Sequence, residues 1–101
     1  VGDARRLLLS GGLTKAPLVR RLLADVFGLP AVAPHQQEAS AFGAALLAAQ
    51  AVGAITDATA HAQAVGYDDP TPSDPATHDL YRAAYARYAR FVAAHLDLYA
   101  E

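Results

Sequence analysis

The first place to look for chemistry in this chain is the stretch Leu7-Leu8-Leu9-Ser10-Gly11-Gly12-Leu13-Thr14-Lys15. An apolar run that stops at two glycines brings backbone amides to the surface with no Cβ in the way, and a following helix adds the positive end of its dipole. Such a corner suits an anion or a nucleotide held by backbone; the competing reading is a plain structural turn. The stricter phosphate patterns are absent. Gly12 stands only three residues before Lys15, Ala16 replaces the magnesium-binding hydroxyl of GxxxxGK[ST], and there is no GxGxxG.

Other reactive residues stand alone. Ser10 lies beside glycines without a GxSxG elbow. His35, His61, His78 and His95 form no HxxxH or HExxH pair, so no metal site is expected. His95 falls on an apolar helical stripe and reads as a hydrogen-bonded packing residue. Glu38, just before a helix, serves that helix's dipole better than it serves as a base. Asp68, Asp69 and Asp74 lie among prolines and read as solvated charge, and Arg20 and Arg21 as an exposed helix face. No nucleophile stands beside a base, so no catalytic residue is assigned. If the protein is an enzyme, its catalytic centre is expected largely outside these residues.

The elements that must position the corner follow from periodicity. Arg6 to Ser10 reads as a strand buried on both faces, because its leucines are consecutive, and this favours a parallel sheet. Pro17 suits the first position of a helix that places Leu18, Val19, Leu22, Leu23, Val26 and Phe27 on one side and Arg20, Arg21, Ala24 and Asp25 on the other. Gly28 closes it. Ala31-Val32-Ala33, between Pro30 and Pro34, predicts a second strand, parallel to the first with a right-handed crossover.

After a polar loop over His35 to Glu38, Ser40 is the expected N-cap of a helix from Ala41 to Val52 that Gly53 closes. Gln50 is its one polar side chain, so it should be sandwiched between other elements. Its Gly43 costs about 1 kcal/mol relative to alanine, a cost that close approach to a sheet or loop would explain. Thr56 to Val65 stays open between a loop and a short helix. Gly66 to Pro75 reads as an extended linker, and Asp74-Pro75 as the start of a last helix to about Tyr99. On it Leu80, Tyr81, Ala84, Tyr85, Tyr88, Phe91, Val92, Leu96 and Tyr99 share one face, with Asp79, Arg82, Ala86, Arg90, Asp97 and Glu101 opposite. The expected organisation is 1–65 as a nucleotide-binding part, 66–75 as linker and 76–101 as a docking helix of the same domain.

The 101 residues allow one domain at most, and such a domain buries roughly two-thirds of its unfolded surface. A net charge of −2 offers no polybasic face, so neither nucleic acid nor an anionic membrane is an expected partner. There is no cysteine for disulfides or thiolate chemistry, and no signal peptide or apolar run long enough to span a bilayer. A soluble, cytoplasmic protein is expected. The chain begins at Val1 and contains no methionine, as expected of a C-terminal piece of something longer. Two strands cannot cover all its apolar helices, so a sticky or oligomeric fragment is expected.

Several segments together carry a resemblance. Leu8-Leu9-Ser10-Gly11-Gly12-Leu13-Thr14-Lys15-Ala16-Pro17-Leu18, Leu22-Leu23-Ala24-Asp25-Val26-Phe27-Gly28-Leu29-Pro30, Glu38-Ala39 and Gly43-Ala44-Ala45-Leu46-Leu47-Ala48-Ala49 closely resemble the C-terminal end of the FGGY carbohydrate kinases. Tyr67 before a Pro/Asp stretch, with Tyr81, Tyr85 and Tyr88 at helical spacing, resembles that family's closing helix. The resemblance runs from about Arg6 to Tyr99. It implies an α/β fold, the C-terminal part of an actin-like ATPase (ribonuclease H-like) domain, arranged βαβα plus a long C-terminal helix.

It also implies an ATP-dependent sugar kinase, a phosphotransferase with an alcohol acceptor, that uses Mg2+ and passes the γ-phosphate of ATP to a sugar or sugar acid. Gluconate or xylulose is the implied acceptor. The wording Glu38-Ala39-Ser40-Ala41-Phe42-Gly43 is nearer to gluconate than to xylulose kinases. Gly11 and Gly12 match the family's adenosine motif, with Leu13 beside them, and Ala16 matches a position near the adenine where relatives often carry Asn or Ser. Alanine there leaves only apolar or backbone contact with the base. The implied partners are ATP or ADP, the sugar and, as an option, a second copy in a homodimer. The family's catalytic aspartate, N-terminal phosphate loop, sugar-binding residues and most Mg2+ contacts have no counterpart here, so these residues alone are expected to be inactive. The alternative reading is a non-catalytic interaction module that binds a partner through its Tyr-rich C-terminal helix.

Overall fold

A computed structural model of the chain describes residues 2–36 and 38–100, with the Asp97 side chain left aside. Val1 in the lead-in, Gln37 in the polar loop, and Asp97 and Glu101 on the polar face of the last helix thus fall outside the described residues or side chains.

The order of elements is β1 (Leu7–Leu8), a 3₁₀ turn (Gly12–Lys15), α1 (Pro17–Phe27), β2 (Ala31–Val32), α2 (Ala39–Ala51), α3 (Ala58–Gln63), α4 (Pro75–His95) and a closing 3₁₀ turn (Leu96–Tyr99). β1 and β2 are parallel, with Leu7 opposite Ala31 and Leu8 opposite Val32. This is the expected strand, helix, strand unit. Pro17 opens α1, where its missing N–H does no harm, and Gly28 ends it in the left-handed conformation at φ 66°.

The 66–75 stretch is extended, as expected, but it is not free. Ala31 and Thr71 exchange both backbone hydrogen bonds at 2.8–2.9 Å, the Asp68 amide donates to the Ala33 carbonyl at 2.9 Å, and Tyr67 bridges to Pro34. It therefore lies antiparallel along the far side of β2 and makes β2 the middle of a small mixed sheet. Arg6, just before β1, places its guanidinium 5.0 Å from the Tyr67 ring centre, a cation–π contact that ties the two outer edges together.

Burial departs from the periodicity. The core consists of Leu9, Ala24, Ala31, Val32 and Ala33, with Leu7 and Leu23 packed against it. Leu8 is 59% exposed, so β1 is not buried on both faces: the consecutive leucines of so short a strand alternate sides, and only one side meets α1. On α1 the expected outer residues Ala24 and Asp25 are buried while Leu18, Leu22 and Phe27 are exposed. The helix turns its small-residue face to the sheet, where Ala24 allows close approach.

α2 begins at Ala39 with Glu38 at the N-cap position, so Ser40 lies inside the helix and does not cap it. Nor is α2 sandwiched: it packs on α3, and Leu47 is exposed. A Cβ added to Gly43 would meet nothing within 4 Å, so no described residue makes the close approach that this glycine permits. The open segment 56–65 contains α3, capped by Asp57, whose carboxylate accepts from the Thr59 and Ala60 amides. Asp74 caps α4 as expected. The radius of gyration is 18.7 Å, against about 13 Å for a compact chain of this length. The helices radiate from a small core. No described helix is long and apolar enough to cross a membrane.

Candidate functional site

The glycine corner begins where the chain leaves the sheet. Leu9, whose amide donates to the Val32 carbonyl at 2.8 Å, is the last residue held by β2. Gly11 then adopts φ 96° and ψ 167°, a region open essentially to glycine alone. Its carbonyl accepts from both the Thr14 amide, at 3.2 Å, and the Thr14 hydroxyl, at 2.6 Å. A Cβ on Gly11 or Gly12 would have no atom within 4 Å, so this backbone faces open space. Leu13 is 79% exposed beside it. Gly11, Gly12 and Leu13 are thus together on one short turn, with Ala16 at its far end.

The expected helix does not follow the glycines directly. The glycines open onto the 3₁₀ turn and not onto α1, whose first residue is Pro17. The dipole of α1 therefore lies about a turn away from Gly11. Ala16 is the N-cap of α1 and contributes no side-chain cap; its carbonyl accepts from the Val19 and Arg20 amides.

A polar network that local sequence patterns do not reveal supports the corner. Arg20 Nε donates to the Thr14 carbonyl, and Arg20 Nη1 donates to Asp68 Oδ2 at 2.7 Å. The Arg20 side chain is 17% exposed, so the expectation of a solvated Arg20 does not hold, and Asp68 is an ion-pair partner as well as a partly solvated charge. His35 Nε2 lies 3.4 Å from the other Asp68 oxygen. No short-range pattern joins Arg20 to Asp68, 48 positions apart.

A second network joins α1 to α4. The buried Asp25 carboxylate accepts from the Asp74 amide at 2.7 Å, with Arg21 Nε at 4.0 Å, and the Asp25 carbonyl lies 2.9 Å from His78 Nδ1. Asp74 in turn accepts from the Thr77 hydroxyl and amide, which hold its carboxyl below its ordinary value. His95 Nδ1 bonds the Phe91 carbonyl at 2.7 Å and its ring stacks on Phe91, so it is hydrogen-bonded as expected. An apolar groove of 630 Å³ lies between α1 and α4, lined by Val26, Phe27, Tyr81, Tyr85 and Tyr88, and shares no residue with the corner.

Among the described residues no group of three or more His, Asp or Glu side chains is placed to hold a metal ion. Mg2+ is commonly held by one or two carboxylates together with the phosphates of its nucleotide, and no carboxylate stands between Gly11 and Ala16, so the corner itself supplies no side-chain ligand for it. Backbone contact with a nucleotide does fit the corner, because the space a Cβ would fill at Gly11 and Gly12 is open.

A family model for the FGGY family of carbohydrate kinases, C-terminal domain, matches residues 2–52, which include β1, the glycine corner, α1, β2 and α2. Over 92 residues the chain is 35% identical to the probable L-xylulose kinase of Pasteurella multocida, covering 91% of this chain and 18% of that protein. Its fold superposes on the xylulose kinase of Lactobacillus acidophilus with a TM-score of 0.78, at 24% identity, over 95% of this chain and 20% of that one. The gluconate kinase of the same organism gives 0.75 at 27% identity, over 89% of this chain and 18% of that one. The chain thus spans about a fifth of the length of the proteins it matches. Its fold is α/β, the C-terminal part of an actin-like ATPase domain. With the family match running across the corner and the helices that carry it, the chain belongs to the FGGY family of carbohydrate kinases, within its C-terminal domain.

Proposed function

We propose that this chain forms the adenosine side of the ATP site of a sugar kinase, with Gly11, Gly12, Leu13 and Ala16 as contact residues. The observation that carries the reading is Gly11, held at a φ of 96° beside an open Gly12 within the segment that matches the family. Bare backbone there can lie against a nucleotide that any side chain would push away. The exposed Leu13 side chain offers an apolar surface to a base, and Ala16 offers no hydrogen bond to it.

The whole protein, on this reading, works in the cytoplasm and transfers the γ-phosphate of ATP, as its Mg2+ complex, to a hydroxyl of gluconate or xylulose. Residues 1–65 form part of its nucleotide-binding domain, 66–75 cross back along β2, and 76–101 carry the docking helix. Phosphoryl transfer needs base, phosphate cradle and metal positioned together, and on this reading the family's residues for them have no counterpart among the described residues, so alone the chain is inactive. ATP-dependent phosphorylation by the whole protein across sugars and sugar acids tests the acceptor. Gly12→Val tests the corner: ATP affinity should fall with sugar affinity unchanged, and unchanged ATP affinity removes the corner from the site.

The exposure of Tyr85, Tyr88 and Phe91 on α4 favours a second reading, a non-catalytic interaction module that binds a partner through that helix. A whole protein without measurable ADP affinity would decide for the module.

A further inference from the structure

We infer that Arg20 is a positioning residue for the nucleotide corner, holding Gly11 to Lys15 in place through its two-sided contact with the Thr14 carbonyl and Asp68. The inference rests on the reading of the corner as a nucleotide contact.

The turn that carries the corner has no buried residue of its own. Packing therefore does little to fix it, and hydrogen bonds must. Gly11 is tied to Thr14 through the threonine amide and hydroxyl, Thr14 is tied through its carbonyl to Arg20, and Arg20 is tied to Asp68 at 2.7 Å. Asp68 is fixed to the sheet by its own amide on the Ala33 carbonyl. The chain of bonds runs from the glycine to the sheet by a route independent of the β1 strand. A guanidinium suits the middle of it because its planar fork donates in two fixed directions at once, which the single ammonium of a lysine cannot reproduce. With the Arg20 side chain 17% and the Asp68 side chain 36% exposed, the pair is partly buried and is screened less than a fully exposed ion pair.

Loss of this tether leaves the corner to be ordered at the moment the nucleotide binds, so the cost appears in nucleotide affinity. Sugar binding, made elsewhere in the whole protein, does not feel it.

The test uses the whole protein, with ADP affinity from calorimetry and KM for ATP and for sugar from initial rates. Arg20→Ala and Arg20→Lys should each weaken ADP and raise the KM for ATP about tenfold, the scale of one charge-assisted hydrogen bond, with the KM for sugar unchanged. Asp68→Asn should reproduce part of the loss, and Arg20→Ala with Asp68→Ala should cost less than the sum of the two single changes. Wild-type ADP affinity in both Arg20 variants overturns the positioning role, provided that Gly12→Val still weakens ADP. If Gly12→Val binds ADP normally, the corner reading itself fails and the inference with it. Equal changes in both KM values mean general destabilisation and also overturn it. Should Arg20→Ala fail to fold, Arg20→Lys and Asp68→Asn carry the same comparison.

Discussion

The imidazole of His78 occupies the space that a side chain on Gly28 would need. A Cβ built on Gly28 would lie 2.6 Å from His78 Nε2, while Nδ1 on the same ring is 2.9 Å from the Asp25 carbonyl. The residue that ends α1 in the left-handed conformation thus also makes room for α4 to dock. One glycine serves the termination of one helix and the seating of another.

Gly28→Ala should therefore be destabilising on two counts. The positive φ alone costs an alanine about 1–2 kcal/mol, and His78 must also move. Urea unfolding of the whole protein should show a lower midpoint. Adding His78→Ala should cost less than it does in the wild type, because the ring has already been displaced. Fully additive losses would show that the two residues do not press on each other.

The cap of α4 should titrate. Hydrogen bonds from the Thr77 hydroxyl and amide favour the ionised Asp74 carboxylate and lower its pKa from 3.8. A carboxyl with a depressed folded pKa contributes stability that is complete above 3.8 and is lost as pH falls through the lowered folded value. Asp74→Asn keeps an N-cap but titrates no proton. The wild type should be the more stable above pH 3.8, with the gap closing below it, as followed by helical circular dichroism. A gap that does not change with pH would remove the carboxylate from the cap's energetics.

Ala16 offers a gain. Its φ of −82° and ψ of 121° already have the extended geometry of an N-cap, but the side chain cannot accept from the first turn of α1. Ala16→Ser supplies that acceptor and should add about 1 kcal/mol to stability. A raised melting temperature checks this; no change would mean that the free amides of α1 are already satisfied.

The elements with strong local signals were legible in the sequence. Pro17 and Gly28 bracketed α1, Asp74 and Pro75 opened α4, and the apolar runs before Ser10 and Pro34 marked two parallel strands, because each device acts within one turn of the backbone. What was hidden depended on partners far along the chain. Arg20 looked like solvent-facing charge until Asp68 came back beside it, and Asp25 looked polar and outward until the Asp74 amide met it. The 66–75 stretch read as a linker because prolines and aspartates dominate it, yet a few unoccupied donors and acceptors along β2 were enough to pair it. Apolar helices such as α2 declare that they need cover without declaring where it comes from. The glycine corner was visible as a pattern, while its dependence on the side chain of Arg20 was not.

The chain expressed alone should self-associate. Leu47 on α2 and Tyr85, Tyr88 and Phe91 on α4 are each more than 60% exposed, and large apolar side chains left bare in such number favour association. Sedimentation velocity of the isolated chain should show concentration-dependent species heavier than 10.5 kDa, with no sugar phosphorylation above blank. Tyr88→Glu with Phe91→Glu places two charges on the α4 face and should shift the distribution toward monomer, because a carboxylate buried in an apolar contact without a partner is strongly disfavoured. Tyr88 borders the α1–α4 groove, but both side chains are more than 60% exposed and neither belongs to the core, so helix content should be kept. A single sharp monomer for the unaltered chain would mean that these side chains find cover within one copy, in an arrangement more compact than the 18.7 Å radius of gyration.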